Sequence, residues 1–214
     1  MKNEKLKVNI SPPKGGWGVF LLLILLTSCG NDSSDIYPNV VTEFAMVLTD
    51  DAGRLSKLIT DDETTYIIAN QLEGYDKDTC YRAVCGFVPD GRKATLHNAT
   101  GAYLLRDSTL LPHQPDSLKV VSVWQSGHFI NMQLSPLTQG GVQYWGYRCD
   151  SVRSKMYHLS LHHRQNGDPL SYTQTVYASL PIDSLKSIAP GDSFALHIAT
   201  FQGDRVWKFK KMTP

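Results

Sequence analysis

The chain of 214 residues lacks a dominant charge, with 21 Lys and Arg against 20 Asp and Glu. No global field draws it to nucleic acid or to anionic lipid, and a nucleic-acid binder would need a local basic patch. Motifs of familiar chemistry are missing too. There is no Gly-x-Ser-x-Gly elbow, no His-Glu-x-x-His pair and no phosphate loop, so no nucleophile or metal-bound base announces itself. Cysteine is scarce, four residues without a Cys-x-x-Cys spacing, which argues against zinc ribbons and thioredoxin-like redox chemistry. No apolar run reaches the ~20 residues that cross ~30 Å of hydrocarbon. Composition nevertheless suits a folded body: 42% of residues are hydrophobic and 19% charged, too apolar for a disordered chain.

What is present begins at the amino terminus. Lys2, Lys5, Lys7 and Lys14 precede Val19-Phe20-Leu21-Leu22-Leu23-Ile24-Leu25-Leu26, the basic n-region and short apolar h-region of an export signal. Leu26-Thr27-Ser28-Cys29 follows and resembles the bacterial lipobox: an aliphatic residue, two small residues that fit the signal peptidase, and a cysteine whose thiol accepts diacylglycerol. The expectation is a lipoprotein signal peptide over residues 1–28 and lipidation of Cys29. Two or three acyl chains, at ~0.8 kcal/mol per buried methylene, would hold the protein on a membrane. A mature chain starting at Cys29 carries 17 basic and 19 acidic side chains, net −2. Residues 29–39 are small, polar and acidic, and read as a tether with too little apolar area to order itself. Asp32 and Asp35 resemble the surface-export signal of Bacteroidota lipoproteins in a thin form, so the periplasmic and surface faces of the outer membrane both stay open.

With Cys29 assigned to lipid, Cys80, Cys85 and Cys149 remain, enough for at most one disulfide. On one strand, Cys80 and Cys85 would stand about 17 Å apart, beyond the ~4.4–6.8 Å that a bridge allows. A link from Cys149 to either is open; the simpler expectation is three small buried apolar side chains.

From Val40 onward the hydrophobic signal has a period of two, as strands require. Tyr81, Ala83, Cys85 and Phe87 share one face, as do Ile130, Met132 and Leu134. Leu159 and Leu161 alternate with His158, Ser160 and His162; Phe194, Leu196 and Ile198 alternate with Ala195, His197 and Ala199; Trp207 and Phe209 oppose Lys208 and Lys210. Asp51-Ala52-Gly53, Asp90-Gly91-Arg92, Gly140-Gly141, Asn166-Gly167-Asp168-Pro169, Pro190-Gly191-Asp192 and Gln202-Gly203-Asp204 are turn chemistry. The fold class is therefore all-β, with short helices expected only around Pro115 to Val120 and Ile182 to Ile188. Ser108 to Pro115 suits a linker. It divides residues 40–110, about 70 residues and roughly five strands suited to a small OB-like barrel, from residues 116–214, about 100 residues suited to an antiparallel β-sandwich. One continuous sandwich is the alternative.

Several phrases in order resemble the NigD-like lipoproteins of Bacteroidota. They are Tyr37-Pro38-Asn39-Val40-Val41-Thr42, Thr49-Asp50-Asp51-Ala52-Gly53, Leu58-Ile59-Thr60-Asp61-Asp62, Tyr81-Arg82-Ala83 with Gly86-Phe87-Val88-Pro89, Ser122 through Asn131, and His162 through Pro169. The resemblance spans nearly the whole mature chain and implies an amino-terminal OB-like domain followed by a carboxyl-terminal β-sandwich. It implies no activity, ligand or catalytic residue, and a link to bacteriocin production, export or immunity is an association of the family name.

Candidate chemistry is thin. His158 and His162 would share a strand face about 14 Å apart with His163 opposite, too far to close one zinc shell, so solvent-facing strand histidines are expected and no metal is assigned. Asp50-Asp51 and Asp61-Asp62-Glu63 would offer calcium ligands only if the strand from Arg54 to Thr60 brought them together, whereas turn roles suit Asp directly. Tyr144, Trp145, Tyr147 and Trp124 are the aromatics available to a glycan or protein surface, unless the core takes them. Four Asp-Ser/Thr triplets, beginning at Asp107, Asp116, Asp150 and Asp183, resemble a Bacteroidota O-glycosylation acceptor and equally serve as turns.

The sequence thus points to a non-catalytic, lipid-anchored envelope protein of the outer membrane. Its partners would be the membrane through Cys29 and an envelope protein or glycan, with no nucleic acid, no cofactor and no catalytic residue. The alternatives are an envelope hydrolase, in which His158, His162 or His197 meets a carboxylate, and a bacteriocin-associated immunity or export accessory.

Overall fold

Alternating apolar and polar residues give strands with one dry face, and here those faces enclose two cores. The computed structural model describes residues 39–108, 114–153 and 156–211. The expected signal peptide, Cys29 and the tether up to residue 38 lie outside the described residues, as do Thr109 to His113 of the expected linker. The strands are β1 (Val41–Thr49), β2 (Leu55–Thr60), β3 (Thr65–Ile68), β4 (Cys80–Asp90), β5 (Lys93–Leu104), β6 (Lys119–Ser126), β7 (Phe129–Ser135), β8 (Leu137–Thr138), β9 (Tyr144–Arg153), β10 (Met156–Arg164), β11 (Tyr172–Thr173), β12 (Val176–Pro181), β13 (Ser193–Thr200) and β14 (Gly203–Lys210).

The first five strands close a barrel. β1 pairs antiparallel with β2 and β4, β2 with β3, and β4 with β5. The ring is sealed by a parallel contact of β3 with β5, Ile67 beside Lys93 and Ile68 beside Ala94. This is the expected OB-like unit. Its interior mixes small residues (Ala45, Ala83, Ala94, Ala99) with bulky ones (Leu55, Leu58, Phe87, Leu96), the mixture that lets a narrow barrel fill without strain. Turn chemistry fixes its hairpins. Gly53 has φ +77°, and a Cβ there would stand 2.4 Å from the Tyr75 carbonyl oxygen.

The sheet does not stop at the barrel. β12 joins β5 in parallel through Tyr177 and Ala102, and β7 and β6 extend it, in the order β3-β2-β1-β4-β5-β12-β7-β6. A second sheet, β14-β13-β10-β9, packs across β12, β7 and β6; β10 and β13 run parallel within it. Between the layers lie Ile130, Met132 and Leu134 of β7, Leu159 and Leu161 of β10, and Phe194, Leu196 and Ile198 of β13, the alternating sets read from the sequence. Aligned layers of this kind make a β-sandwich.

Three expectations need correcting. Pro115 to Val120 is extended, because the Asp116 and Leu118 amides donate to the His163 and Ala199 carbonyls at 2.8 and 3.2 Å instead of to their own chain. Ile182 to Ile188 holds only the 3-10 turn Ile182–Ser184; so few residues cannot offset helix nucleation, and Ser184 Oγ donates to the Pro181 carbonyl at 2.6 Å. Of the described cysteines, all free, only Cys85 is buried. Desolvation pushes its thiol up to about 12. Cys80, on an outward position of β4, and Cys149, opposite Leu159 on the edge strand β9, are exposed.

Candidate functional site

The most unusual chemistry lies where barrel meets sandwich. On β4 the inward positions are Ala83 and Cys85, so Arg82 points out of the barrel, where a charged residue ordinarily meets water. Here it meets β7 and β12, whose register sets Asn131 beside Ser179. Arg82 Nε donates to Ser179 Oγ at 2.9 Å and Nη2 to Asn131 Oδ1 at 2.9 Å. Asp61, from the β2–β3 turn, takes the guanidinium with both oxygens, Oδ1 to Nη1 at 2.6 Å and Oδ2 to Nη2 at 3.0 Å. Asn131 Nδ2 donates to Asp61 Oδ2 at 2.6 Å, and Ser179 Oγ donates to Asn131 Oδ1 at 2.7 Å. All four residues are buried. Phe129 lies 3.8 Å and Phe44 5.2 Å from the guanidinium carbon, ring centre to carbon, adding cation–π attraction. The β6–β7 turn closes over this knot at Gly127, where a Cβ would fall 1.8 Å from the Asp61 carbonyl oxygen.

Aromatic rings form the lip. Phe44, pointing out of the barrel on β1, stands edge-on to Trp124 of β6 at 5.5 Å and to Tyr177 of β12 at 5.7 Å between centroids. Phe44 is buried, while Trp124 keeps 37% of its surface open. Beside them, burial and then the carboxylates of Asp62 and Asp61 raise the Glu43 carboxyl above its usual range. On the surface His128 bridges the two parts: Nε2 meets Glu63 at 3.1 Å and Nδ1 meets Asp183 at 3.0 Å. The hydrogen bond and charge of Asp183, then Glu63, raise its pKa. The two carboxylates lie on opposite ring nitrogens, so the three side chains cannot converge on one metal ion.

Of the aromatics named from the sequence, Trp124 belongs to this lip and Tyr144 is exposed on β9, an edge strand of the other sheet. The other two are withdrawn from the surface. Trp145 stacks between Tyr103 at 5.4 Å and His163 at 4.3 Å. Tyr147 is packed in the core, its hydroxyl 2.9 Å from Ser184 Oγ.

Solvent-facing strand histidines are also corrected, since His162 and His163 are both buried. The His163 ring lies between the Asp116 carbonyl at 3.2 Å and Gln143 Oε1 at 3.1 Å, and desolvation lowers its pKa. His158 Nδ1 faces His197 Nε2 at 2.9 Å, with ring centroids 5.1 Å apart and the rings tilted. The acidic pairs do not converge: they occupy opposite ends of β2. Asp50 accepts from the Ala52 and Arg54 amides and pairs with Arg54, Asp62 bonds Thr60 and the Thr64 amide, and Asp61 goes to Arg82. Among the described residues no group of three or more His, Cys, Asp or Glu is placed to hold a metal ion.

Arg82, Asn131 and Ser179 escaped the search for chemistry, and Asp61 was weighed only as a calcium ligand, because each belongs to a different element and none sits in a motif. Three of the four nevertheless fall inside the phrases that carry the family resemblance, Asp61 in Leu58 to Asp62, Arg82 in Tyr81 to Ala83, and Asn131 at the end of the Ser122 phrase.

The fold is shared with solved structures from Bacteroides. A NigD-like immunity protein from Bacteroides caccae is 21% identical at a TM-score of 0.58, with 81% of this chain and 93% of that one covered. A protein of unknown function from Bacteroides vulgatus is 12% identical at 0.62, over 82% and 92%. A Bacteroides fragilis protein provisionally classed as a lipoprotein is 12% identical at 0.58, over 82% and 99%. The NigD-like resemblance of the sequence agrees with this fold. No family model and no curated protein matches the sequence.

Proposed function

We propose that the protein is a lipid-anchored module of the cell envelope, held at the outer membrane by Cys29, that binds a protein or glycan partner and does not turn over a substrate. The anchoring half is supported by the Leu26-Thr27-Ser28-Cys29 lipobox behind its apolar run and by the fold held in common with the Bacteroides fragilis protein. The binding half rests on one observation: at the junction the charged and polar groups of Asp61, Arg82, Asn131 and Ser179 are engaged with one another, while Trp124 at the lip stays open. A rigid polar base beneath an open aromatic ring suits recognition. A hydrolase would need a histidine with a free nitrogen to take a proton from a nucleophile or water, and His128, which meets Glu63 and Asp183, has both nitrogens engaged.

The test is capture from solubilised envelope and a glycan array, with the intact chain and with Trp124→Ala. The expected result is a partner retained by the intact chain and lost by the variant; uniformly negative capture contradicts the binding reading. A second reading, bacteriocin immunity, is favoured by the fold shared with the Bacteroides caccae protein. It predicts that deleting the gene sensitises the host to a toxin encoded nearby.

A further inference from the structure

The loops at one end of the sandwich are tightly braced, and their outer side is apolar. Residues 136–147 carry no charge, and residues 165–182 carry only Asp168. That one carboxylate is buried and ties the two loops together. It accepts from the Gln139 amide at 2.9 Å, the Gly141 amide at 3.1 Å, Gln143 Nε2 at 2.8 Å and the Thr138 hydroxyl. Gly141 leaves it room, since a Cβ there would meet the carboxylate at 2.7 Å. β8 and β11 add a short antiparallel ladder, Tyr172 beside Thr138, and Asn166 Nδ2 donates to the Val142 carbonyl at 3.1 Å. On the outside of these loops stand Val142, Tyr144, Leu170 and Tyr172, each between 50% and 69% exposed.

Large apolar side chains on a braced tip are an interaction surface, here bordered by the Arg164–Asp116 pair, Arg164 standing beside Tyr144 across the strands. Reach decides what it touches. From Cys29 to Asn39 the chain spans at most about 35 Å, and a body of this size has a radius of gyration near 15 Å, hence a width of about 40 Å. A protein anchored by so short a tether cannot stand clear of the lipid by more than its own width. Tyr side chains are favoured at the headgroup level, where the bordering Arg164 can stay among the polar headgroups, and loops without charges of their own on the outer side avoid the cost of desolvating them.

We infer that Val142, Tyr144, Leu170 and Tyr172 form a membrane-contact tip that dips into the lipid surface to which Cys29 is anchored. This rests on the lipid-anchor reading above and adds an orientation to it: the body lies with its sandwich end against the bilayer, which leaves the junction and Trp124 to face a partner.

The experiment uses the full lipidated chain in phosphatidylcholine–phosphatidylethanolamine vesicles doped with a lipid bearing a photoactivatable acyl chain, with labelled residues mapped by mass spectrometry. Beside it runs the double variant Val142→Ser, Leu170→Ser, whose exposed positions leave the core untouched. The expected result is label on the tip of the native chain and loss of that label in the variant, while both float with the vesicles and melt at the same temperature. Vesicle-bound chain labelled only near Cys29 overturns the tip alone. Chain that fails to float overturns the anchor reading, and the tip with it.

Discussion

Arg82 is the residue on which the joint between barrel and sandwich turns. Its guanidinium and the Asp61 carboxylate are both out of water, and removing one partner of such a pair strands the other. Arg82→Ala is therefore expected to destabilise the protein by about 3–5 kcal/mol, whereas replacing the whole network with well-packed apolar residues of similar volume would cost far less; urea denaturation of both variants checks this. Gly127 makes the same joint possible by absence. At φ +49° and with no room before the Asp61 carbonyl, Gly127→Ala should loosen the β6–β7 turn and lower the unfolding free energy by more than the few tenths of a kcal/mol typical of a surface change. His128 gives a pH signature of known sign. Its folded pKa is raised by Asp183 and Glu63, so its contribution is complete below its ordinary value of about 6.5 and fades as pH rises through the raised one. The stability difference between the native chain and His128→Ala should shrink across that window, and a difference that grew with pH would contradict the assignment.

At the scale of elements, period two was enough to read which residues face inward. Ile130, Met132 and Leu134, or Phe194, Leu196 and Ile198, are buried as their alternation requires, and Gly53, Gly91, Gly167, Gly191 and Gly203 take the positive φ their turns demand. What alternation cannot carry is partnership between strands distant in sequence. The parallel seam of β5 with β12 joins residues some seventy apart, Ala102 with Tyr177, and that seam delivers Ser179 and Asn131 to Arg82. Outward positions were accordingly misjudged: His162 reads as a wet residue on its own strand and is dry because other segments cover it. The loop brace was legible only as turn chemistry around Asn166 to Pro169. Its carboxylate, Asp168, is held at about 2 chiefly by the Thr138 hydroxyl and then by loop amides and Gln143. A depressed pKa means the brace is in force above the ordinary carboxylate range, near 4, and is lost as pH falls toward 2. Asp168→Asn should abolish that acid-dependent step and speed amide exchange in residues 138–143, read by hydrogen–deuterium exchange.

At the scale of the whole molecule, one β body has a rigid joint and braced loops that hold surfaces in place, and the proposed lipidated tether would carry it at the envelope. All-β barrels and sandwiches serve many ends, so the proposal turns on a single thiol near the amino terminus. Its most direct test is metabolic labelling of cells with a radioactive fatty acid, with the native chain compared with Cys29→Ser. The account predicts label that follows the native polypeptide through purification and fractionation with membranes, and an unlabelled variant released into the soluble fraction. Native chain without label, or a variant that stays with the membranes in the same proportion, would contradict it.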